Sequence, residues 1–371
     1  MTTIRFVMLG GFLGAGKTTS IARLARMYQS HEKKVGIITN DQAADLVDTH
    51  SLRSQGFDVG EVAGACFCCH FNELTATIDR IGTAARPDVV LCEPVGSCTD
   101  LVATVVRPMQ QLFAARFRIA PYGVILKPSH GQRILSGRDD AGFSPKAAYI
   151  FKKQIEEADF LLVNRIDEMA TDEADELVRM LESQFPGRPV LRVSARTGEG
   201  FDSLFAFLAQ EGAFGRRVVE LDYDTYAEGE AELGWLNSSL TVRAAAPFPL
   251  DALLTGIVER LRVRLEKIGA ETAHLKTIGL ADGAYGVANL VSSWTPVELS
   301  LPSSAEVREA NVVVNARVAI EPADLEKLVR SCVTEAAESL GATTTFHQTQ
   351  SFRPGRPVPT HRVVELTNRS S

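Results

Sequence analysis

A basic surplus is missing from this chain. Its 371 residues carry 39 Lys and Arg against 46 Asp and Glu, so no global positive field draws it to nucleic acid or to anionic membranes. Long apolar runs are missing too. No stretch reaches the roughly 18 residues a membrane-spanning helix needs, and the N-terminus shows no basic segment followed by an apolar targeting stretch. Those absences predict a cytoplasmic protein. Cysteine is scarce, six in all with three gathered into residues 66–69, which suits a reducing compartment better than a disulfide framework. There is no internal repeat. The remainder, 45% hydrophobic and 23% charged, is ordinary for soluble globular proteins, and the length suits two domains, each with its own core.

What the chain does have begins near its N-terminus. Ile4 to Leu9 is a short apolar run that reads as a buried strand, and Gly11-Phe12-Leu13-Gly14-Ala15-Gly16-Lys17-Thr18-Thr19 leads from it into an amphipathic stretch ending near Tyr28. Strand, glycine-rich loop and helix form the setting in which backbone N–H groups close around phosphate oxygens. Gly11, Gly14 and Gly16 allow the close approach and Ala15 and Thr19 complete the cradle; Lys17 reaches the β- and γ-phosphates, and the Thr18 hydroxyl can ligate Mg²⁺.

Base choice has to come from elsewhere. Asp159 to Val163 reads as another buried strand and delivers Asn164-Arg165-Ile166-Asp167 at its carboxyl end, where doubly wound sheets bind ligands. This resembles the Asn-Lys-x-Asp guanine motif of GTPases. The Asp167 carboxylate would accept from guanine N1–H and its exocyclic amine, while adenine offers the wrong donors and would leave the carboxylate unpaired. Arg165 replaces the usual Lys and can still stack over a base. Downstream, Pro189 to Val193 is a short strand followed by Ser194-Ala195-Arg196, similar to the Ser-Ala-Lys element that meets the guanine oxygen through backbone. Two guanine elements in order favour GTP over ATP. Taken alone, Asp167 would also serve as the N-cap of a helix from Glu168 to Leu177.

Between cradle and base motif, Asp88 to Cys92 is an apolar strand ending in Glu93-Pro94-Val95-Gly96, where NTPases place an acid near the metal and a glycine near the γ-phosphate. Glu93 is a candidate for holding Mg²⁺-bound water or orienting the attacking one; capping the next turn is the plainer reading. Val35 to Thr39 forms the second strand, and Asn40-Asp41, Asp45 and Asp48 follow in a loop placed to sense the γ-phosphate through Mg²⁺. Glu93, Lys17 and Asp41 are therefore the candidate catalytic residues.

Cys66-Phe67-Cys68-Cys69 adds a second chemistry. In an extended segment Cys66 and Cys68 share a face, and Cys69 joins them only if the chain turns after Cys68. Three thiolates suit Zn²⁺ first, with Co²⁺, Ni²⁺ or Cu⁺ competing, and not Mg²⁺ or Ca²⁺. A redox pair, a packing role or a reactive thiol are the other readings, and a disulfide between adjacent Cys68 and Cys69 would be strained. His70 is a candidate fourth ligand. Cys92 and Cys332 fall in apolar patterns and read as packing residues, while Cys98 lies near the Glu93 loop.

On these motifs the chain resembles the CobW-like family of P-loop GTPases, in the class that also holds the urease and hydrogenase nickel-insertion GTPases. Gly11 to Thr19, Asn40-Asp41, Cys66 to Cys69, Glu93 to Gly96 and Asn164 to Asp167 carry the resemblance, over roughly the first 210 residues. It implies a GTP-hydrolysing metallochaperone, slow without a partner, with GTP/GDP and Mg²⁺ as cofactors. Cys66, Cys68 and Cys69 would ligate the cargo metal, with Asp41 a further candidate. A client metalloprotein or cofactor-synthesis enzyme would receive the ion, and a homodimer fits the same pattern. Glu-Pro-Val-Gly departs from the family's Glu-Ser-Ser-Gly-like segment. The histidine-rich tract of many relatives is missing, since only seven His are scattered along the chain, which argues against metal storage. The alternatives are a GTP-dependent regulator or scaffold with a structural zinc, and a P-loop small-molecule kinase, against which Asn164 and Asp167 speak.

The expected fold is α/β, a doubly wound P-loop GTPase sheet over 1–212, then a linker segment 213–235 packing back on it. A smaller α+β unit follows over 236–350, and a tail over 351–371. The order β-α-β-β-α-β, with helical stripes Leu250 to Leu265 and Leu325 to Ala336, suggests a ferredoxin-like split unit. Strand-like stretches fall at Leu275 to Leu280, at Val287 to Leu290 or Val297 to Leu299, and at Val312 to Val318. Residues 121–148 read as a long connection, either a lid or partner-docking surface or a tolerated insertion. The proline-rich, basic tail reads as an extended wrap or a frayed end.

Overall fold

Apolar strands alternate with amphipathic helices along the first half of the chain, and this pattern closes as a parallel sheet covered on both faces. The computed structural model describes residues 3–41, 47–64, 66–81, 86–136, 144–290, 293 and 295–366. It divides into a unit made of 1–42, 55–229 and 356–371 and a second made of 43–54 and 230–355.

Through the first half the elements run β1 (Ile4–Gly11), α1 (Lys17–Ser30), β2 (Val35–Asp41), α2 (Val47–Ser54), β3 (Val59–Ala63), α3 (Phe71–Ile81), β4 (Val89–Glu93), α4 (Arg107–Leu112) and β5 (Phe117–Ile119). There follow β6 (Gly123–Leu126), α5 (Pro128–Leu135), α6 (Pro145–Glu157), β7 (Phe160–Val163), α7 (Thr171–Gln184), β8 (Val190–Arg192), α8 (Phe201–Leu208) and α9 (Tyr223–Ala231). Helix α2 groups with the second unit. The sheet order is β3-β2-β4-β1-β6-β7-β8, all parallel. The order leads away from β1 in both directions, so the carboxyl end of β1 is the switch point where a ligand crevice opens. Every residue of β4, β6 and β7 is buried, as central parallel strands require. Helix α1 packs on β4, β2 and β1 and buries Ile21, Leu24, Ala25 and Tyr28.

Residues 121–148 are not a plain connection. Gly123-Val124-Ile125-Leu126 is a central strand between β1 and β7, and Pro128 opens α5. The apolar run is only four residues long, and the Lys127-Pro128 break behind it disguises it as loop. Strand β5 pairs with Ile4–Phe6 and β6 with Leu9–Gly11, on the same side of β1. Pro121 separates them because it lacks the N–H a ladder needs. Residues 137–143 of that stretch lie outside the described residues.

The second unit runs β9 (Gly234–Pro249), α10 (Leu250–Lys267), β10 (Thr272–Ala281), β11 (Ala284–Leu290), β12 (Glu298–Leu301), β13 (Glu306–Val318), α11 (Pro322–Glu338) and β14 (Ala342–Phe352). Its sheet is antiparallel in the order β12-β11-β10-β13-β9-β14. Strand β13 lies between β9 and β10, the split β-α-β arrangement, and β11 with β12 is an added hairpin, so both stretches offered as alternatives are strands. Leu253, Leu254, Ile257, Leu261 and Leu265 of α10 join Leu325, Val329, Cys332 and Ala336 of α11 in the core over this sheet. Each fully buried aliphatic side chain contributes about 1.5–3 kcal/mol. The stretch 213–235 read as a linker carries α9 and the start of β9. In it Trp235 is buried, with the Arg317 guanidinium 4.0 Å above its ring. Among the described residues no helix is long and apolar enough to cross a membrane.

Candidate functional site

The loop from Gly11 to Gly16 joins β1 to α1 at the switch point. A Cβ on Gly11 would meet the Ile125 carbonyl oxygen at 2.2 Å, and one on Gly16, at φ 94°, would meet Asn164 Nδ2 at 2.3 Å. Only glycine fits at either position. Gly16 caps α1 without a side-chain hydrogen bond, and the first turn carries no acid, so the amino end of this 14-residue helix presents uncapped N–H groups to an anion. Lys17 is buried, with Nζ 2.9 Å from the Gly11 carbonyl and 3.4 Å from that of Phe12. The ammonium is thus held at the rim of the cradle. The Thr18 hydroxyl donates to Glu93 Oε1 at 2.9 Å, which brings the two Mg²⁺ candidates together at the ends of α1 and β4. These donors suit a magnesium-bound nucleoside triphosphate.

Asn164 is 2% exposed and is engaged at both ends. Its Nδ2 donates to the Ala15 carbonyl at 2.8 Å, and its Oδ1 accepts from the Ala195 N–H at 2.9 Å. The side chain therefore ties the phosphate loop to the loop after β8. Asp167 stands in a short 3-10 turn, and the N-cap of α7 is Ala170, which rules out the capping reading. Burial alone would raise the Asp167 pKa; the Ser194 hydroxyl and the Arg196 guanidinium outweigh it and hold the carboxyl below the usual carboxylate range. It is an ionised acceptor at the sheet edge.

Asn40, at the end of β2, donates from Nδ2 to the Val62 carbonyl at 2.8 Å and accepts the Phe67 N–H at 2.9 Å on Oδ1. It anchors the thiol segment. That segment is wound, the turn on which convergence of Cys69 depends: the Cys69 and His70 N–H groups both bond the Cys66 carbonyl, at 3.0 and 2.9 Å. The turn swings Cys69 round, so the sulfurs of Cys66, Cys68 and Cys69 all lie within 4.8 Å of one another. The Cys68 and Cys69 sulfurs are 3.7 Å apart. Tetrahedral Zn²⁺ with Zn–S bonds of about 2.3 Å requires sulfurs roughly 3.8 Å apart, so the triangle needs little closure. None of the six cysteines is in a disulfide. Hydrogen bonding with Cys66 and Cys69, followed by burial, pushes the Cys68 thiol well up, and Cys69 is pushed up to about 11, chiefly by its bond with Cys66. A bound cation would displace those protons. His70 is exposed and does not converge with the sulfurs. The side chains of Asp41 and Asp48 and the whole of Asp45 lie outside the described residues.

Sequence reasoning missed the supports. From α6, Gln154 Nε2 donates to the carbonyls of Gly96 and Cys98 at 3.0 and 2.9 Å, while Glu157 accepts the Val102 N–H at 2.9 Å. Together they fix the loop that follows Glu93. Asp100, buried and at φ 62°, accepts from Tyr223 and Arg362 at 2.8 and 2.7 Å. No motif carries these residues; for Gln154 and Glu157 the signal was a polar side chain on the buried face of α6.

The first half of the chain matches known proteins. The family profile described as CobW/HypB/UreG, nucleotide-binding domain, fits residues 5–192, just over half of the chain. The chain belongs to this family. CobW/HypB/UreG proteins are P-loop GTP hydrolases of metal delivery. The urease accessory protein UreG of Metallosphaera sedula is 28% identical over 217 residues, 54% of this chain and 91% of UreG. The zinc chaperone YeiR of Escherichia coli is 30% identical over 90 residues, 24% of this chain and 27% of YeiR. Among solved structures, HypB from Helicobacter pylori in complex with nickel superimposes with a TM-score of 0.40 at 16% identity, covering 56% of this chain and 86% of that one. The chain thus spans nearly all of UreG and about a quarter of YeiR.

Proposed function

We propose that this CobW/HypB/UreG member binds Mg²⁺-GTP in the Gly11–Thr19 cradle and carries a transition-metal ion, Zn²⁺ before Co²⁺ or Ni²⁺, on Cys66, Cys68 and Cys69. The ion is cargo, passed to a client metalloprotein or cofactor-synthesis enzyme. The observation that carries the reading is the sulfur triangle hung on Asn40, at the end of the strand whose neighbour ends in Glu93.

In this reading Thr18 and Glu93 hold the magnesium, Lys17 meets the β- and γ-phosphates, and Asp167 accepts the guanine N–H groups, with backbone of Ser194 and Ala195 beside it. Magnesium supplies charge neutralisation across the transferring phosphoryl oxygens when bound. Asn40 passes a shift at the nucleotide edge to the thiol turn, because the same side chain bonds β3 and Phe67. Three sulfurs leave a tetrahedral cation one open position, through which a client donor can enter.

Coupling of this kind is reciprocal. The test is titration of the reduced, metal-free chain with Zn²⁺, Co²⁺ and Ni²⁺, with and without a non-hydrolysable GTP analogue, repeated in Cys66→Ser. A cargo site should change affinity with the nucleotide and lose it with the thiol. Equal affinity in both nucleotide states would instead mark a structural ion.

A further inference from the structure

The last described residues return to the thiol turn. Thr360, 291 positions from Cys69, donates its hydroxyl to the Cys69 carbonyl at 2.8 Å and its N–H to the Cys68 carbonyl at 2.8 Å. His361 sets its ring edge-on to Phe71, the first residue of α3, with centroids 5.0 Å apart. Beyond them the segment is pinned down: Arg362 Nε bonds the buried Asp100 at 2.7 Å and Nη2 the Val219 carbonyl at 3.1 Å. The Val363 N–H meets the Ala103 carbonyl at 2.8 Å, and upstream Arg356 bonds Asp224 at 2.6 Å. An extended strap without a ladder of its own is thus fastened on both sides of one point, and that point is the thiol turn. The family profile ends at residue 192, far short of it.

We propose that residues 356–364 are the outer shell and the gate of the thiol site: Thr360 positions Cys69 through the carbonyls of its turn, and the strap must lift before a bound ion can be handed on. Resting on the cargo reading above, this adds the element that sets retention. Two bonds to the carbonyls of its turn hold the ligand in one orientation, and such outer partners set metal affinity by roughly 10–100-fold. Cys69 is only half-buried, so it is the sulfur an incoming donor reaches first. Thr360 is bonded to the backbone on both sides of that thiol's peptide. Hand-over is a ligand exchange in which a client donor replaces one thiolate, with no change of oxidation state. Unfastening Arg362 from Asp100 is the step that exposes it.

The experiment uses the full chain loaded with one equivalent of Co²⁺ or Zn²⁺, and follows transfer to a chromogenic chelator by stopped flow. Thr360→Val removes the hydroxyl bond without changing shape, and Arg362→Ala removes the fastening. Transfer should quicken roughly 10-fold or more in Arg362→Ala and several-fold in Thr360→Val, and the thiolate-to-Co²⁺ absorption band should shift in Thr360→Val. GDP affinity should stay within about twofold of the parent, since neither residue touches the nucleotide cradle. Were Arg362→Ala to unfold, Thr360→Val alone would still decide. Parent-like transfer rates with the thiolate band intact and unshifted would overturn the strap proposal while leaving the cargo reading standing. A parent chain with no thiolate band that Cys66→Ser abolishes would sink both.

Discussion

Removing the Asn164 side chain should weaken the first unit and the nucleotide site together. In Asn164→Ala the Ala15 carbonyl and the Ala195 N–H each lose their partner at a position 2% exposed, where the shortened side chain gives them nothing in return. Two neutral hydrogen bonds contribute about 1 kcal/mol each, and an orphaned buried backbone group costs about 1–3 kcal/mol, so the loss should fall near 2–5 kcal/mol. Water entering the gap would bring it to the low end. In the proposed function the joined loops are the ones that hold phosphate and base, so part of the loss should reappear in binding as the cost of ordering them, roughly 10–100-fold in GDP affinity. Urea unfolding of the nucleotide-free, metal-free chain gives the first number, and calorimetric GDP titration gives the second. A variant with an unfolding free energy within about 0.5 kcal/mol of the parent, and unchanged GDP affinity, would refute the clamp.

Asp167→Asn should lose guanine affinity by roughly 10²–10⁴-fold, because two charge-assisted bonds of about 1.5–3 kcal/mol disappear. It should gain on xanthosine nucleotides, whose C2 carbonyl accepts from an amide; equal losses for both bases in competition binding would remove Asp167 from base recognition. His130 packs edge-on to Phe12 of the phosphate loop at 5.9 Å, and burial, with Lys127, Arg133 and Arg165 adding to it, pushes its pKa down to about 3. Its depressed folded pKa means it contributes stability that is present above the ordinary histidine range near 6.5 and lost as pH falls towards 3. Between pH 7 and 5 this group should take away about 2 kcal/mol, and His130→Phe should flatten that part of the profile; parallel profiles in urea unfolding would remove His130 as its source.

Local chemistry was legible wherever one short segment carries it alone. Gly11 to Thr19 announces strand, loop and helix at once, because the backbone positions that Gly11 and Gly16 occupy admit no Cβ. The stripes of α10 and α11 gave the second unit its helices, since a face that must be buried shows its period. Strand β6 was hidden, because four apolar residues before a proline look the same in a loop and in a central strand until β1 and β7 are placed beside them.

The residues therefore determined by themselves that a glycine-rich strand-loop-helix, an Asn-Arg-Ile-Asp carboxylate and three neighbouring thiols exist in one chain. Whether those sulfurs meet was not theirs to fix: it depends on a turn held by Asn40 from another strand. The same is true of Asn164, which opens the Asn-Arg-Ile-Asp segment and which its neighbours make a bridge between two loops. The strap over Cys69 is the extreme case. A hydrogen bond across 291 positions leaves no trace in spacing or periodicity, because those patterns record only what a segment does with its own neighbours.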